Sequence, residues 1–284
     1  MRMDDYRDSD NVEDRRGGGG IGRGGVGIGG IVLALVVSYF TGINPMTLLG
    51  FIEQTPLAQH SAPAAHKPPP NDESARFVSK VLASTEDVWA ETFRQNGKQY
   101  EAPKLVLFTG ATPTACGTGQ TAMGPFYCPG DHKVYIDLAF YRELKERFHA
   151  PGEFAQAYVI AHEVGHHVQN LLGIADKVHQ AKQRVSKAEA NAMSVRMELQ
   201  ADCLAGVWGK RTDTMKKVLE PGDLEAALNA ASAIGDDRLQ QQAQGRIIPE
   251  SFTHGSSAQR VRWFKTGFES GDMNQCNTFK AAKL

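Results

Sequence analysis

The sequence lacks the marks of several common protein classes. No stripe of basic residues with interleaved aromatic residues occurs, and the net charge of the 284-residue chain is −1, so nothing indicates a nucleic-acid partner. The glycine-rich stretch 17–30 precedes no Gly-Lys-Ser or Gly-Lys-Thr, which argues against a phosphate-binding loop. The four cysteines include no C-x-x-C pair, which argues against a zinc site built from cysteines.

Charge is also absent from residues 24–52, whose centre at 31–40 is strongly apolar. About 20 apolar residues cross a bilayer, so we expect one transmembrane helix within residues 25–50, anchored in a lipid bilayer. Arginines lie just before this stretch and the next basic residue is Lys67, so the positive-inside rule predicts a cytoplasmic N-terminus and a domain on the periplasmic side of the cell envelope. A cleaved signal peptide and a buried core helix are the alternatives.

The composition divides the chain into four parts. Residues 1–24 are charged and then glycine-rich, which predicts a disordered cytoplasmic arm. The anchor at 25–50 leads into the proline-rich residues 51–74, which predict an extended linker. Residues 75–284 show the patterns of one α+β domain that is mostly helical with a small β-sheet. Strands are expected at 104–108, 125–128 and 133–137.

Two helix boundaries are predicted from capping residues. Ser84 or Thr85 is expected to end one helix and begin another, which stops at Gly97. Ser256 or Ser257 is expected to cap a helix near the C-terminus.

One motif organises the folded part. His162, Glu163 and His166 form the sequence H-E-x-x-H within a helical pattern that runs from Pro151 to Leu172. Residues four apart share a helix face, so the two histidines can converge on one zinc ion. Glu163 can then act as general base on a water of that metal. Gly165 inside the helix indicates close approach of another backbone or of the metal site. The alternative is a pair of incidental surface histidines.

A hydrolytic zinc site needs a third protein ligand and an open position. Glu198 and Asp202 lie four apart on a helix that is apolar nearly all round, so both carboxylates need a cation or hydrogen-bond donors. We expect Glu198 to be the third ligand of one zinc ion per chain. Asp202 is expected to accept a hydrogen bond from the far nitrogen of a ligating histidine. The alternative is an exposed acidic pair.

These motifs resemble those of a known family. H-E-x-x-H followed on a later helix by E-x-x-A-D is similar to the gluzincin-type metallopeptidases. The glycine-rich arm, the stretch 162–167, the sequence ELQADC at 198–203 and HGSSAQR at 254–260 together resemble the bacterial putative neutral zinc metallopeptidase family. The resemblance covers most of the chain. It implies a zincin-like fold for residues 75–284 and zinc-dependent hydrolysis of a peptide or protein substrate.

The resemblance also implies further site residues. In zincin-like folds an edge strand lines the active-site helix, which nominates Gly124, Phe126 and Tyr127 for binding an extended peptide by strand addition. His254 would stabilise the oxyanion of a tetrahedral intermediate, or else be a hydrogen-bonded structural histidine. His167 lies off the face of the ligating histidines and is interpreted as structural or as a support for them.

The four cysteines allow three pairings, and an exported domain would permit disulfides. Cys116 and Cys128 flank one loop, so a local bridge is plausible and leaves Cys203 to pair with Cys276. That second bridge would close a loop of about 70 residues and tie the C-terminal tail to the Glu198 helix. Four reduced thiols in a cytosolic protein are the alternative.

The prediction from sequence is therefore a membrane-anchored zinc metallopeptidase. Two other functions stay open. One is a non-catalytic zinc-binding envelope protein with a zincin-like domain, although Glu163 argues against it because a scaffold needs no base. The other is a hydrolase of a different amide, such as a cell-wall peptide.

Overall fold

The computed structural model describes residues 1–17 and 65–284 of the chain. The predicted anchor at 25–50 and most of the predicted linker at 51–74 lie outside the described residues. In the described part of the chain, no helix is both long and apolar enough to cross a bilayer. Residues Met1–Asp14 and His66–Leu284 together form one compact unit.

The sheet of this unit has four strands in the order β1-β2-β6-β5. These four strands are β1 (Val12–Asp14), β2 (Lys104–Phe108), β5 (Phe126–Cys128) and β6 (Lys133–Asp137). A separate hairpin consists of β3 (Ala111–Thr114) and β4 (Gly117–Gln120). β1 and β6 both run parallel to β2, while β5 is antiparallel to β6 and forms one edge. The last four residues of β2 are all buried, as expected of a strand covered on both faces.

Helices make up most of the unit. They are α1 (Glu73–Gln95), α2 (Ala139–Glu146), α3 (Glu153–Leu171), α4 (Ile174–Lys182), α5 (Lys187–Lys216), α6 (Asp223–Ala233), α7 (Asp236–Gln244) and α8 (Ser257–Ser270). α3 is buried nearly all round and contacts α1, α5 and α6 as well as β5 and β6. A helix that is apolar on every face is stable only inside a core, so the H-E-x-x-H motif lies at the centre of the fold.

The α+β class, mostly helical with a small sheet, is confirmed, and the predicted strands lie where expected. The expected helix break at Ser84 and Thr85 is wrong, because α1 continues through both. Their hydroxyls donate to the carbonyls of Val81 and Leu82, three residues back, so both hydroxyls have hydrogen-bond partners inside the helix. Ser256 caps α8 with a complete capping box.

The predicted disorder of residues 1–24 is wrong for its first fourteen residues. Met1, Met3 and Tyr6 are buried in the main core, and β1 adds a parallel strand to β2. These apolar residues are scattered among charges and follow no helix or strand period, which is why the sequence hides them. The polar groups between them also have partners, since Ser9 and Asn11 both donate to the carboxylate of Glu86.

Candidate metal centre

Three glycines allow the helices of the site to lie close together. A Cβ on Gly165 of α3 would come within 3.1 Å of the carbonyl oxygen of Ala201 in α5, so the expected close approach of another backbone is confirmed. Side chains on Gly206 of α5 and Gly267 of α8 would overlap the backbone of the facing helix. α5 therefore packs backbone to backbone against both α3 and α8.

This packing brings together the three predicted zinc ligands. Oε2 of Glu198 lies 3.2 Å from Nε2 of His162 and 3.5 Å from Nε2 of His166, and the three donor atoms lie within 4.8 Å of one another. His162 is only 7 % exposed. Two imidazole nitrogens and one carboxylate oxygen are a donor set that zinc prefers, and three protein ligands leave a fourth position for water or substrate. The residues therefore fit one zinc ion.

Charge makes the cluster favourable for a cation. Burial lowers the pKa of His162, but Asp202 and Glu198 outweigh burial and raise that pKa to about 10. Burial opposes ionisation of Glu198 as well, yet the two histidines hold its pKa well below the usual range. The site thus attracts either protons on its imidazoles or a metal ion in their place, so we expect metal binding to release protons.

Asp202 orients His162, as the sequence predicted. Nδ1 of His162 lies 2.9 Å from Oδ1 of Asp202, so Nδ1 donates to the carboxylate and Nε2 is left to bind metal. The hydroxyl of Tyr158, one turn before His162 on α3, donates to the same oxygen at 2.5 Å.

Arg260 holds Asp202 ionised. Its Nε and Nη2 donate to the two oxygens of Asp202, each at 2.9 Å, and both side chains are buried. Burial alone would raise the pKa of Asp202, but Arg260 and then His162 lower it below its usual range. Arg260 also donates to the hydroxyl of Tyr158. Neither role was predicted from the sequence, where Arg260 entered only as the last residue of the stretch 254–260; the available signal was one arginine among the mostly apolar buried positions of α8.

Gln169 orients the second histidine. Its Nε2 donates to the carbonyl of Met197 at 2.7 Å, so its Oε1 is the acceptor that faces Nδ1 of His166 at 2.9 Å. Gln169 is fully buried. This residue was also missed, although its place three residues after His166 puts it within reach on the same helix.

Glu163, the predicted base, lies next to His162 on α3 and lines the cavity beside the candidate metal ligands. Glu163 is buried, and burial raises the pKa of its carboxyl while the two ligating histidines oppose that rise. A raised pKa suits a group that must take up and then release a proton.

The cavity beside these residues has a volume of about 590 Å³. Gly124, Phe126 and Tyr127, the three residues nominated for substrate binding, all line it. Phe126 and Tyr127 belong to β5, the edge strand whose neighbour in the sheet is β6. An open strand edge next to a metal centre can pair with an extended peptide.

His254 also lines this cavity. Nδ1 of His254 faces Oδ1 of Asp236 at 3.3 Å, and this hydrogen bond raises the pKa of His254. The other oxygen of Asp236 accepts the backbone N–H groups of Thr253, His254 and Gly255. The loop that carries His254 is therefore fixed by one carboxylate that the sequence reasoning did not single out.

His167 joins α3 to the edge strand. Its Nε2 donates to the carbonyl of Glu101 at 2.7 Å, so its Nδ1 accepts the hydroxyl of Tyr127 at 3.0 Å. Burial lowers the pKa of His167 to about 4, so the ring is neutral. The expected structural or supporting position of His167 agrees with these contacts.

Both expected disulfides are confirmed. Cys116 pairs with Cys128, and Cys203 pairs with Cys276. The second bond joins the residue after Asp202 to the C-terminal segment. Gln200 donates to the carbonyl of Cys276, so the tail is tied to α5 beside the metal centre.

The profile of the putative neutral zinc metallopeptidase family matches residues 1–279. The chain belongs to this family. The uncharacterized protein YpfJ of Escherichia coli (strain K12) is 56 % identical over 285 residues, which cover 98 % of this chain and 99 % of the relative. The uncharacterized protein Rv2575 of Mycobacterium tuberculosis (strain ATCC 25618 / H37Rv) is 44 % identical over 219 residues, which cover 74 % of this chain and 73 % of the relative. No solved structure matches the chain significantly.

The family confirms the resemblance found in the sequence and implies zinc as the metal of the site. The matched region includes every residue of the metal centre and the ordered N-terminal segment.

Proposed function

We propose that this protein is a zinc-dependent metallopeptidase with His162, His166 and Glu198 as metal ligands. The observation that carries the proposal is the convergence of their donor atoms at a cavity beside a buried Glu163. Each ligating histidine also has its far nitrogen bonded to a partner that fixes its orientation. Such support is typical of metal sites.

The chain's own residues supply the proton transfers. Zinc, when bound, supplies a Lewis acid that polarises the scissile carbonyl and lowers the pKa of water. Glu163 takes a proton from the attacking water and delivers it to the leaving amine. Burial raises the pKa of its carboxyl, which suits a group that takes up and then releases a proton. His254, held by Asp236 at the cavity wall, stabilises negative charge on the substrate oxygen.

The substrate backbone binds along β5. The segment with Gly124, Phe126 and Tyr127 lines the cavity, and its strand pairs on one side with β6. An extended peptide would add to its other side, which sets the scissile bond near the metal centre.

The two disulfides support a location outside the cytoplasm, because disulfides persist in oxidising compartments. We propose that the compact unit lies outside the cytoplasm, on the periplasmic side of the cell envelope. Free thiols in the protein isolated from cells under alkylating conditions would refute this location.

The test uses the full-length protein with bound zinc measured per chain and a mixed peptide library as substrate. Glu163→Gln should retain zinc and lose hydrolysis by at least about a hundredfold, the lower range for a general base. His162→Ala should lose both. Glu146→Gln, an exposed glutamate on α2, is the matched control and should retain both.

Three results would contradict the proposal. If the wild-type protein binds no zinc, the proposed metal site is wrong. Stoichiometric zinc with no cleavage of any peptide would favour a zinc-binding envelope protein, and cleavage confined to cell-wall peptides would favour the other amide hydrolase.

A further inference from the structure

One wall of the active-site cavity carries a cation that no described carboxylate neutralises. Lys182, at the end of α4, lines the cavity and is half-buried. Its Nζ donates to the hydroxyl of Ser194 on α5 at 2.6 Å. That hydroxyl donates its own proton to the carbonyl of Ala190, so it accepts from Lys182 without neutralising the charge. No carboxylate of residues 1–17 or 65–284 pairs with Lys182 within 4.0 Å.

The other charged side chains around the cavity are already paired or belong to the metal centre. Arg260, the other lysine or arginine among the described lining residues, is bound to Asp202. Glu163 and Glu198 are the carboxylates among the described lining residues, and both belong to the metal centre. Lys182 therefore presents an ammonium group, with two of its three N–H donors left over, to open space in the cavity.

The helix geometry gives the spacing along α5 between Ser194, which holds this ammonium, and Glu198 of the metal centre. Ser194 precedes Glu198 by four residues on α5, and both line the cavity. Four residues of helix rise about 6 Å. An extended peptide rises about 3.3 Å per residue. A group that binds Lys182 therefore belongs to a residue about two positions from the scissile bond.

We infer that Lys182 forms a carboxylate-binding subsite of the cavity and makes the enzyme prefer peptides with a negative charge near the cleavage point. The carboxylate is either an aspartate or glutamate side chain or a free C-terminus, since both present the same two acceptor oxygens. His179, one turn earlier on α4, also lines this cavity, and its Nε2 is bonded to the side chain of Gln183. The inference rests on the proposed function and names its substrate class.

The test compares matched peptides on the zinc-loaded full-length protein. One set carries Glu or Gln at each of the three positions on either side of the cleaved bond. A second set ends two residues beyond that bond with a free carboxylate or with an amide. We expect kcat/KM to favour the carboxylate member of one pair by about tenfold, the size of one charge-assisted hydrogen bond at a partly exposed site. The two sets show whether the carboxylate is a side chain or a chain end.

Variants of Lys182 show whether this residue causes the preference. In Lys182→Met the ratio of kcat/KM between the paired peptides should fall to near one. In Lys182→Glu the ratio should invert, and in Lys182→Arg, which keeps the charge, it should stay on the side of the carboxylate. The ratio within each variant cancels any general loss of activity. Lys177→Met is the matched control, because Lys177 lies on the same helix outside this cavity and its variant should keep the wild-type ratio. An equal ratio in wild type and Lys182→Met overturns the inference.

Binding separates this inference from the proposed function. If no peptide is cleaved, the same labelled pairs are titrated onto zinc-loaded Glu163→Gln protein and followed by fluorescence anisotropy. A carboxylate preference that disappears with Lys182→Met would uphold the subsite although hydrolysis had failed. Equal binding of both members, or no binding of either, would refute it.

Discussion

Replacing Arg260 by methionine should destabilise the fold much more than a surface mutation does. Arg260 is 2 % exposed and donates to both oxygens of Asp202, to Tyr158 and to the carbonyl of Ile234. Methionine has a similar length without the charge, so the variant leaves Asp202 ionised in the core without its guanidinium. Removing one partner of a buried ion pair costs about 3–5 kcal/mol. Asp202 keeps Tyr158 and His162 as donors, so we expect about 3 kcal/mol, the lower end of that range.

The assay is urea unfolding of the full-length protein with a chelator present, since bound metal would add its own stabilisation. Arg262→Met is the matched control, because the guanidinium of Arg262 on the same helix is exposed and donates only to the carbonyl of Leu284. Asp202→Asn and the double variant complete a thermodynamic cycle, in which the double variant should cost clearly less than the sum of the two single ones. A loss below about 1 kcal/mol for Arg260→Met, the size of an exposed pair, would refute the reasoning.

Two shorter predictions test neighbouring features. Gly267→Ala should lower the free energy of unfolding by about 1–3 kcal/mol, because its Cβ would overlap the carbonyl of Cys203 and force α8 away from α5. Thermal melts measure this loss, and an unchanged melting temperature would contradict the packing. The pKa of His254, followed by NMR, should lie above its ordinary value of about 6.5 and should fall in Asp236→Asn. Because the folded-state pKa is raised, the stabilisation from this pair is complete below about pH 6.5 and is lost as pH rises through the raised pKa. An ordinary pKa for His254 in the wild-type protein would contradict the contact with Asp236.

The cluster of candidate metal ligands could be predicted because its chemistry depends on local spacing. His162 and His166 share one helix face because they lie four residues apart, and the half-buried position of Glu198 follows from the apolar residues around it. Tyr158 and Arg260 could not be predicted with the same reasoning. Their roles depend on a crossing of three helices that only the close packing at the glycines makes possible.

The N-terminal segment shows a second limit of sequence reasoning, which concerns topology. Asp14 and His66 exchange two backbone hydrogen bonds, so these two residues of the compact unit lie side by side. One crossing of a bilayer within residues 25–50 would place Met1–Asp14 and His66–Leu284 on opposite sides. β1 could then not pair with β2, and the buried side chains of the first six residues would lose their contacts with the core. Pairing of these strands therefore requires both segments on the same side of any membrane. The positive-inside rule could not reveal this requirement, because it weighs charges beside an apolar stretch and carries no information on which segments pack together.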